Sequence, residues 1–334
     1  VLATFSACSD DEDVTPILLE DGFYIKGALT PWTDLDSKGL MVAGINEEGQ
    51  APRAGMYEKY VTLKAGATGF NIYQVAGKEI TAWGPATIED YSPAGADYQI
   101  NITIKKGTLG KTGVFTVPAD GLYHVTIDTE TGTFGLAPVS YALCGDPNQW
   151  GDTQLEMVGD FSLNELTYKA ENITIKGGNK FKLRYGKGWK YNLFETSVKV
   201  NTNLGGEVTG TLPNLSLTMA AGGSDYVMPN ANGGIYTLTL KWSAATGFSN
   251  TLVKTGDVAL TNWTGVELDI VGDGVSADNA TAITDPSGWN WGRVIYPNPN
   301  APTIDGAKYT WTWENVIFEA NQGFKIRTKG GVAP

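Results

Sequence analysis

The chain repeats itself, and the repeat decides what it can fold into. Tyr168-Lys-Ala-Glu-Asn-Ile-Thr-Ile-Lys-Gly-Gly-Asn-Lys-Phe-Lys-Leu-Arg184 aligns without gaps on Trp311-Thr-Trp-Glu-Asn-Val-Ile-Phe-Glu-Ala-Asn-Gln-Gly-Phe-Lys-Ile-Arg327. Both hold Glu-Asn, alternating apolar residues and a closing Phe-Lys-(Leu/Ile)-Arg. A fainter copy runs from Tyr60 to Tyr73 once a loop residue is inserted. A second matching pair, Phe115 to Asp128 and Tyr226 to Lys241, carries a proline lead, then a glycine, then alternation. Each member ends in turn chemistry, Thr129-Glu-Thr-Gly132 or Ala244-Ala-Thr-Gly247, that sends the chain back as a hairpin. The copies also open alike, at Tyr24-Ile-Lys-Gly27, Tyr141-Ala-Leu-Cys-Gly-Asp146 and Asp269-Ile-Val-Gly-Asp273. Such repetition marks supersecondary units placed in tandem.

Within the units the apolar period is two: Tyr236, Leu238, Leu240 and Trp242 alternate with Thr237, Thr239 and Lys241. No amphipathic helix stands out. Strands with one apolar face must stack on a second sheet. The expected fold is therefore all-β, a tandem of Ig-like or CBM-like β-sandwich modules. Module one spans residues 21–139, module two 140–255 and module three 256–334, the last truncated after the Phe324-Lys-Ile-Arg327 strand. Modules one and two are expected to fold independently, with few contacts between them.

Residues 1–20 read as a secretory-signal remnant, an apolar run and small residues before Cys8, followed by an acidic tether, Ser9-Asp-Asp-Glu-Asp13. Lys plus Arg number 24 against 36 for Asp plus Glu, a formal net charge of −12. That balance repels phosphate backbones, so nucleic acid is excluded as a partner. One histidine, His124, and two cysteines leave no His/Cys zinc site and no disulfide framework. No metal or cofactor signature is present, and no run of about 18 apolar residues spans a bilayer.

Nine of the ten tryptophans divide by context. Trp242, Trp311 and Trp313 fall in strand register and are expected in the core. Trp32, Trp83, Trp150, Trp189, Trp289 and Trp291 sit among Gly, Pro, Asn and Asp, as in loops. A sugar ring offers a flat C–H face to an indole while its hydroxyls pair with amides and charged donors. Trp150 follows the first strand of module two, and Trp189, within Lys187-Gly-Trp-Lys-Tyr191, follows the Phe181-Lys-Leu-Arg184 strand. On that strand Lys182 and Arg184 face away from Phe181 and Leu183. Trp150, Trp189, Lys182, Arg184 and Tyr191 are thus glycan-binding candidates in module two, with Lys325 and Arg327 as counterparts in module three and the loop tryptophans Trp32, Trp83, Trp289 and Trp291 as further candidates. A structural alternative has Trp150 and Trp189 capping the ends of the sandwich.

The Ala7-Cys8 junction resembles a bacterial lipobox, and the acidic run after it resembles the export signal of Bacteroidota lipoproteins. With tandem sandwiches, a Gly-Asp-x-x-x-Trp opening and a Phe-Lys-(Leu/Ile)-Arg strand, the chain resembles the SusE/SusF-type glycan-binding lipoproteins of starch-utilisation systems. The resemblance implies a lipid on Cys8, display on the extracellular face of the outer membrane and no catalytic activity. It further implies binding of starch or another neutral glycan for a SusC/SusD-type transporter, between positions that map to Trp150 and Trp189. Module one departs from the pattern, with Asn71 and Tyr73 in place of the cations. A structural or adhesive surface protein and a glycoside hydrolase are the alternatives. The acids Asp128, Glu130 and Asp160 read as solvated turns, His124 as a solvent-face residue, and Cys144 as a small buried one.

Overall fold

The computed structural model describes residues 19–93, 102–258, 263, 264, 266–271, 296, 297, 302–305, 308–313, 318, 320 and 323–328. The chain is all-β, and its described helical elements are short 3-10 turns. It divides into two compact units at residues 258 and 259.

In the first unit, module one contains β1 (Gly22–Lys26), β2 (Val42–Asn46), β3 (Ala51–Leu63), β4 (Asn71–Ala76) and β5 (Glu79–Pro85). It continues with β6 (Glu89–Tyr91), β7 (Ile104–Gly110), β8 (Gly121–Asp128) and β9 (Thr133–Val139). Module two starts with β10 (Tyr141–Gly145), β11 (Asp152–Gln154), β12 (Glu156–Val158), β13 (Glu165–Ile175) and β14 (Lys180–Tyr185). Next come β15 (Lys190–Phe194), β16 (Val198–Asn201), β17 (Asn203–Gly205), β18 (Val208–Thr211) and β19 (Asn214–Leu217). It closes with β20 (Ala220–Ala221), β21 (Tyr226–Val227), β22 (Gly234–Ser243) and β23 (Gly247–Gly256). The second unit holds β24 (Leu268–Val271), β25 (Tyr296–Pro297), β26 (Thr303–Asp305), β27 (Lys308–Thr310) and β28 (Lys325–Thr328).

The sequence repeat is a repeat of pairings. Each opening strand lies antiparallel to the strand of the Phe-Lys motif or its counterpart: β1 on β4, β10 on β14 and β24 on β28. The proline-led strands return as hairpins, β8 to β9 and β22 to β23, through the turns expected. The Glu-Asn pair of module two is a β-bulge in β13, between Ala170 and Ile173, with Asn172 left-handed at φ 57°.

Modules one and two are not independent. Module two has its own sheets, β11-β10-β14-β17-β20 and β12-β13-β22-β23-β19-β18, but its β15–β16 hairpin leaves them. That hairpin extends module one's sheet through β2, where Val200 pairs with Asn46. The Asn46 side-chain amide donates to the Ser197 carbonyl at 2.9 Å, and the Glu47 amide donates to the Lys199 carbonyl at 2.9 Å. Lys199 pairs with Glu48, and Thr62 donates to the Leu163 carbonyl.

Covering the second face of module one's sheet changes what its strands bury. In β8 every residue after Gly121 is buried, so both faces are dry. Tyr123, Val125 and Ile127 alternate with His124, Thr126 and Asp128; the first set belongs to module one's core. His124, expected at solvent, is 1% exposed. Its Nδ1 lies 2.9 Å from the Tyr185 hydroxyl, its Nε2 3.2 Å from Glu58 Oε2, and its ring stacks on Tyr60 at 4.2 Å. Thr126 meets the Tyr191 hydroxyl at 3.2 Å. Tyr141 and Phe248, 5.8 Å apart, complete an aromatic seam with Tyr60. The expectation of few contacts between the modules is overturned by this seam.

Candidate functional site

Module two's candidate residues converge at the end of β10. Gly145 lies so close to β14 that a Cβ there would fall 2.5 Å from the Phe181 Cα and 2.3 Å from the Lys180 carbonyl oxygen. Only glycine fits. The chain then makes a 3-10 turn, Asp146–Asn148, held by the Asn148 side chain. Asn148 Oδ1 accepts from the Gly145 amide at 3.0 Å, while Nδ2 donates to the Leu143 carbonyl at 2.8 Å and to Thr153 Oγ1 at 3.0 Å. Gln149 and Trp150 follow in the left-handed region, with φ of 56° and 63°. Non-glycine residues rarely adopt this conformation, and where they do the surroundings hold them in it. Here the Trp150 amide donates to the Gly145 carbonyl at 2.7 Å, and the indole projects outward, 42% exposed.

Trp189 reaches the same place from the loop after β14, which turns through left-handed Gly186 and Lys187. The two indole centroids are 6.3 Å apart with their planes at 61°. Arg184 backs the pair: its guanidinium carbon lies 4.6 Å from the Trp189 centroid, Nε donates to Asp152 at 2.8 Å, and a terminal nitrogen donates to the Trp150 carbonyl at 3.4 Å. Its side chain is 10% exposed, so it positions the tryptophans rather than reaching outward. Lys182 Nζ donates to Asn203 Oδ1 at 2.9 Å, and Asn203 Nδ2 donates to the Trp189 carbonyl at 3.1 Å. Burial pushes the Lys182 ammonium below the usual lysine range, against the opposing pull of Asp225 and Glu47. That bond uses one of the three donors of its ammonium. Asp146 takes the Trp150 indole N–H at 3.2 Å and the Lys180 amide at 2.7 Å. The arrangement presents an apolar face with donors and acceptors beside it, which suits a polyhydroxylated ring.

No protein-family model matches the chain, and no curated protein sequence matches it either.

Other expected positions fare differently. Trp32 is 5% exposed, packed in module one's core beneath Lys59, which removes it from the glycan-facing set. Tyr191 is fully buried in the seam between modules, because β15 belongs to the sheet of module one. Trp83 lies on β5 rather than in a loop, partly buried, its indole N–H donating to Gln74 at 3.3 Å and Lys111 5.3 Å from its ring. Lys325 is exposed and Arg327 partly buried on β28. Cys8, Trp289 and Trp291 lie outside the described residues. Trp242 is core as expected, whereas Trp311 and Trp313 are partly buried and outside strands, Trp311 edge-on to Trp263 at 5.7 Å.

Asp128 also departs from expectation. It is fully buried at the end of β8, bound by Arg53 and by the Thr131 amide and hydroxyl. Cys144 is buried as expected, and burial pushes its thiol up to about 11, which keeps it protonated and inert. Among the described residues no group of three His, Cys, Asp or Glu side chains could hold a metal, and no helix is long and apolar enough to cross a membrane. Asp146, Asn148, Asp152 and Asn203 were not anticipated. Asn148, in a Gly-Asp-Pro-Asn turn, carried a local signal for side-chain-to-backbone bonding, whereas Asn203 is brought in by a distant strand and carried none.

Proposed function

We propose that this chain is a non-catalytic glycan-binding protein of the cell surface, holding starch or another neutral polysaccharide for a SusC/SusD-type transporter. The observation that carries the reading is Trp150, held left-handed and exposed against Trp189 with Lys182 beside it. The inclination of the two indoles favours a glycan that bends between successive rings over a flat ribbon, since a straight chain cannot lie along both faces. Attachment to the outer membrane through a lipid on Cys8 belongs to the same proposal and is supported by the acidic run that follows it. A Cys8→Ala chain is expected in the soluble fraction; unchanged membrane fractionation would refute the anchor.

The deciding experiment is affinity electrophoresis and calorimetry of the full chain across neutral polysaccharides, with Trp150→Ala beside the parent. Stacking of one ring on an indole removes roughly 50–100 Å² of apolar surface from water, worth about 1–3 kcal/mol. Trp150→Ala should therefore weaken binding by roughly tenfold to a hundredfold. A folded variant that binds as well as the parent would return these tryptophans to a capping role, and release of reducing sugar would replace binding with hydrolysis.

A further inference from the structure

A different place in the same unit has the form of a site with a charge to satisfy. Between β3 and the β22–β23 turn, at the junction of modules one and two, lies a cavity of about 290 Å³. That is the small end of the range for ligand pockets, sized for a single ring rather than a chain. Tyr60 and Phe248, both partly exposed, bring aromatic surface to its wall, with the buried Trp32 and Trp242 behind them, and Lys38 and Lys59 also line it. The Lys59 ammonium lies 5.4 Å from the Trp32 ring centroid. Burial pushes it below the usual lysine range, with no carboxylate acting against the shift. Glu58, the one carboxylate among the described lining residues, is already engaged with His124 at 3.2 Å. In a chain of net charge −12, a pocket with two lysines and one committed acid is a local reversal of sign. Lys59 is half-desolvated against the Trp32 ring, and among the described residues no carboxylate pairs with it.

We propose that this cavity binds a single sugar-acid ring of the hexuronate kind, its C–H face against the aromatic wall and its carboxylate on Lys59. The ligand supplies the counter-charge that the protein leaves out. The site is separate from the Trp150–Trp189 pair and does not depend on the reading given to that pair.

The test is a calorimetric titration of the full chain with glucuronate. Glucose, a ring without the carboxylate, and acetate, a carboxylate without the ring, serve as controls. Glucuronate is expected to bind with a dissociation constant on the order of millimolar, and more weakly as salt is raised. Lys59→Gln should weaken it by about tenfold or more, Lys59→Arg should largely retain it, and Trp150→Ala should leave it unchanged. Should Lys59→Gln lose its fold by circular dichroism, Ala245→Phe, at the exposed turn lining the cavity, provides the second variant and should also weaken binding. Acetate binding as well as glucuronate would reduce the site to a plain anion patch, and equal binding of glucose would remove Lys59 from it. No saturable heat, or loss on Trp150→Ala, would overturn the proposal.

Discussion

Trp32 and Trp150 occupy the same position in two copies of one module and have opposite fates. Each stands five residues past a glycine packed so closely that a Cβ would run into the backbone opposite, Gly27 against Phe70 and Gly145 against Phe181. In module one the Gly27 amide donates to the Trp32 carbonyl at 2.9 Å, with Thr30 bridging the loop, and the indole turns into the core. In module two the bond runs the other way, from the Trp150 amide to the Gly145 carbonyl at 2.7 Å, and the indole turns out. One reversed hydrogen bond, with the left-handed backbone it requires, separates a core residue from a surface one. Equivalence in a repeat thus fixes where a side chain starts, not which way it goes.

The comparison breaks most visibly if the modules are separated. Residues 140–255 expressed alone would expose Tyr141, Tyr185 and Tyr191 and leave the β15–β16 hairpin without the sheet it joins. No cooperative unfolding transition is expected, and a sharp melt of the fragment by circular dichroism would contradict the seam. The next largest effect sets the two tryptophans against each other. Trp32→Ala should cost about 3–5 kcal/mol in urea unfolding, as large-to-small core changes do. Trp150→Ala should cost well under about 1 kcal/mol, and similar losses would erase the distinction.

A smaller effect tests the backbone. Gln149→Gly removes a side chain from a left-handed position and should stabilise the chain by about 1 kcal/mol, read as a rise in melting temperature. The smallest contrast concerns acid. At the β8–β9 hairpin of module one, burial alone would raise Asp128, but hydrogen bonds from Arg53 and Thr131 hold its carboxyl below the usual aspartate range. A depressed folded-state value means stability fully present above the ordinary aspartate range, near pH 4, and lost as pH falls through the folded value. Asp128→Asn should therefore lower stability at neutral pH and flatten its decline below about pH 4. An unchanged acid limb would show that Asp128 does not carry it. The matching hairpin of module two ends in Trp242 and Ser243 and has no such acid.

Much of the fold was legible because a repeat and a period of two are local. The strands and both hairpin turns follow from them. Trp150, Trp189, Lys182 and Arg184 were legible as neighbours because alternation on one strand and loops at its ends place them together. His124, Tyr191, Trp32 and Asp128 were misread for a shared reason: the reading gave each sheet one wet face or each loop free solvent. The second face of module one's sheet is dry only because a hairpin from module two crosses to it. Nothing in the alternation of residues 121–128 distinguishes a polar residue facing water from one facing another module's tyrosines. Arg184 was placed correctly, yet its partner Asp152 makes it a clamp rather than a hand.

The crossing of β15 and β16 has a mechanical meaning. Ser140 alone separates β9 from β10, and the crossing hairpin ties the modules a second time on the far side of that residue. Two attachments at separate points remove the swivel that a single linker would permit. A load applied at Trp150 would pass through β10 and β14 into module one without slack, and the two modules would turn as one lever arm.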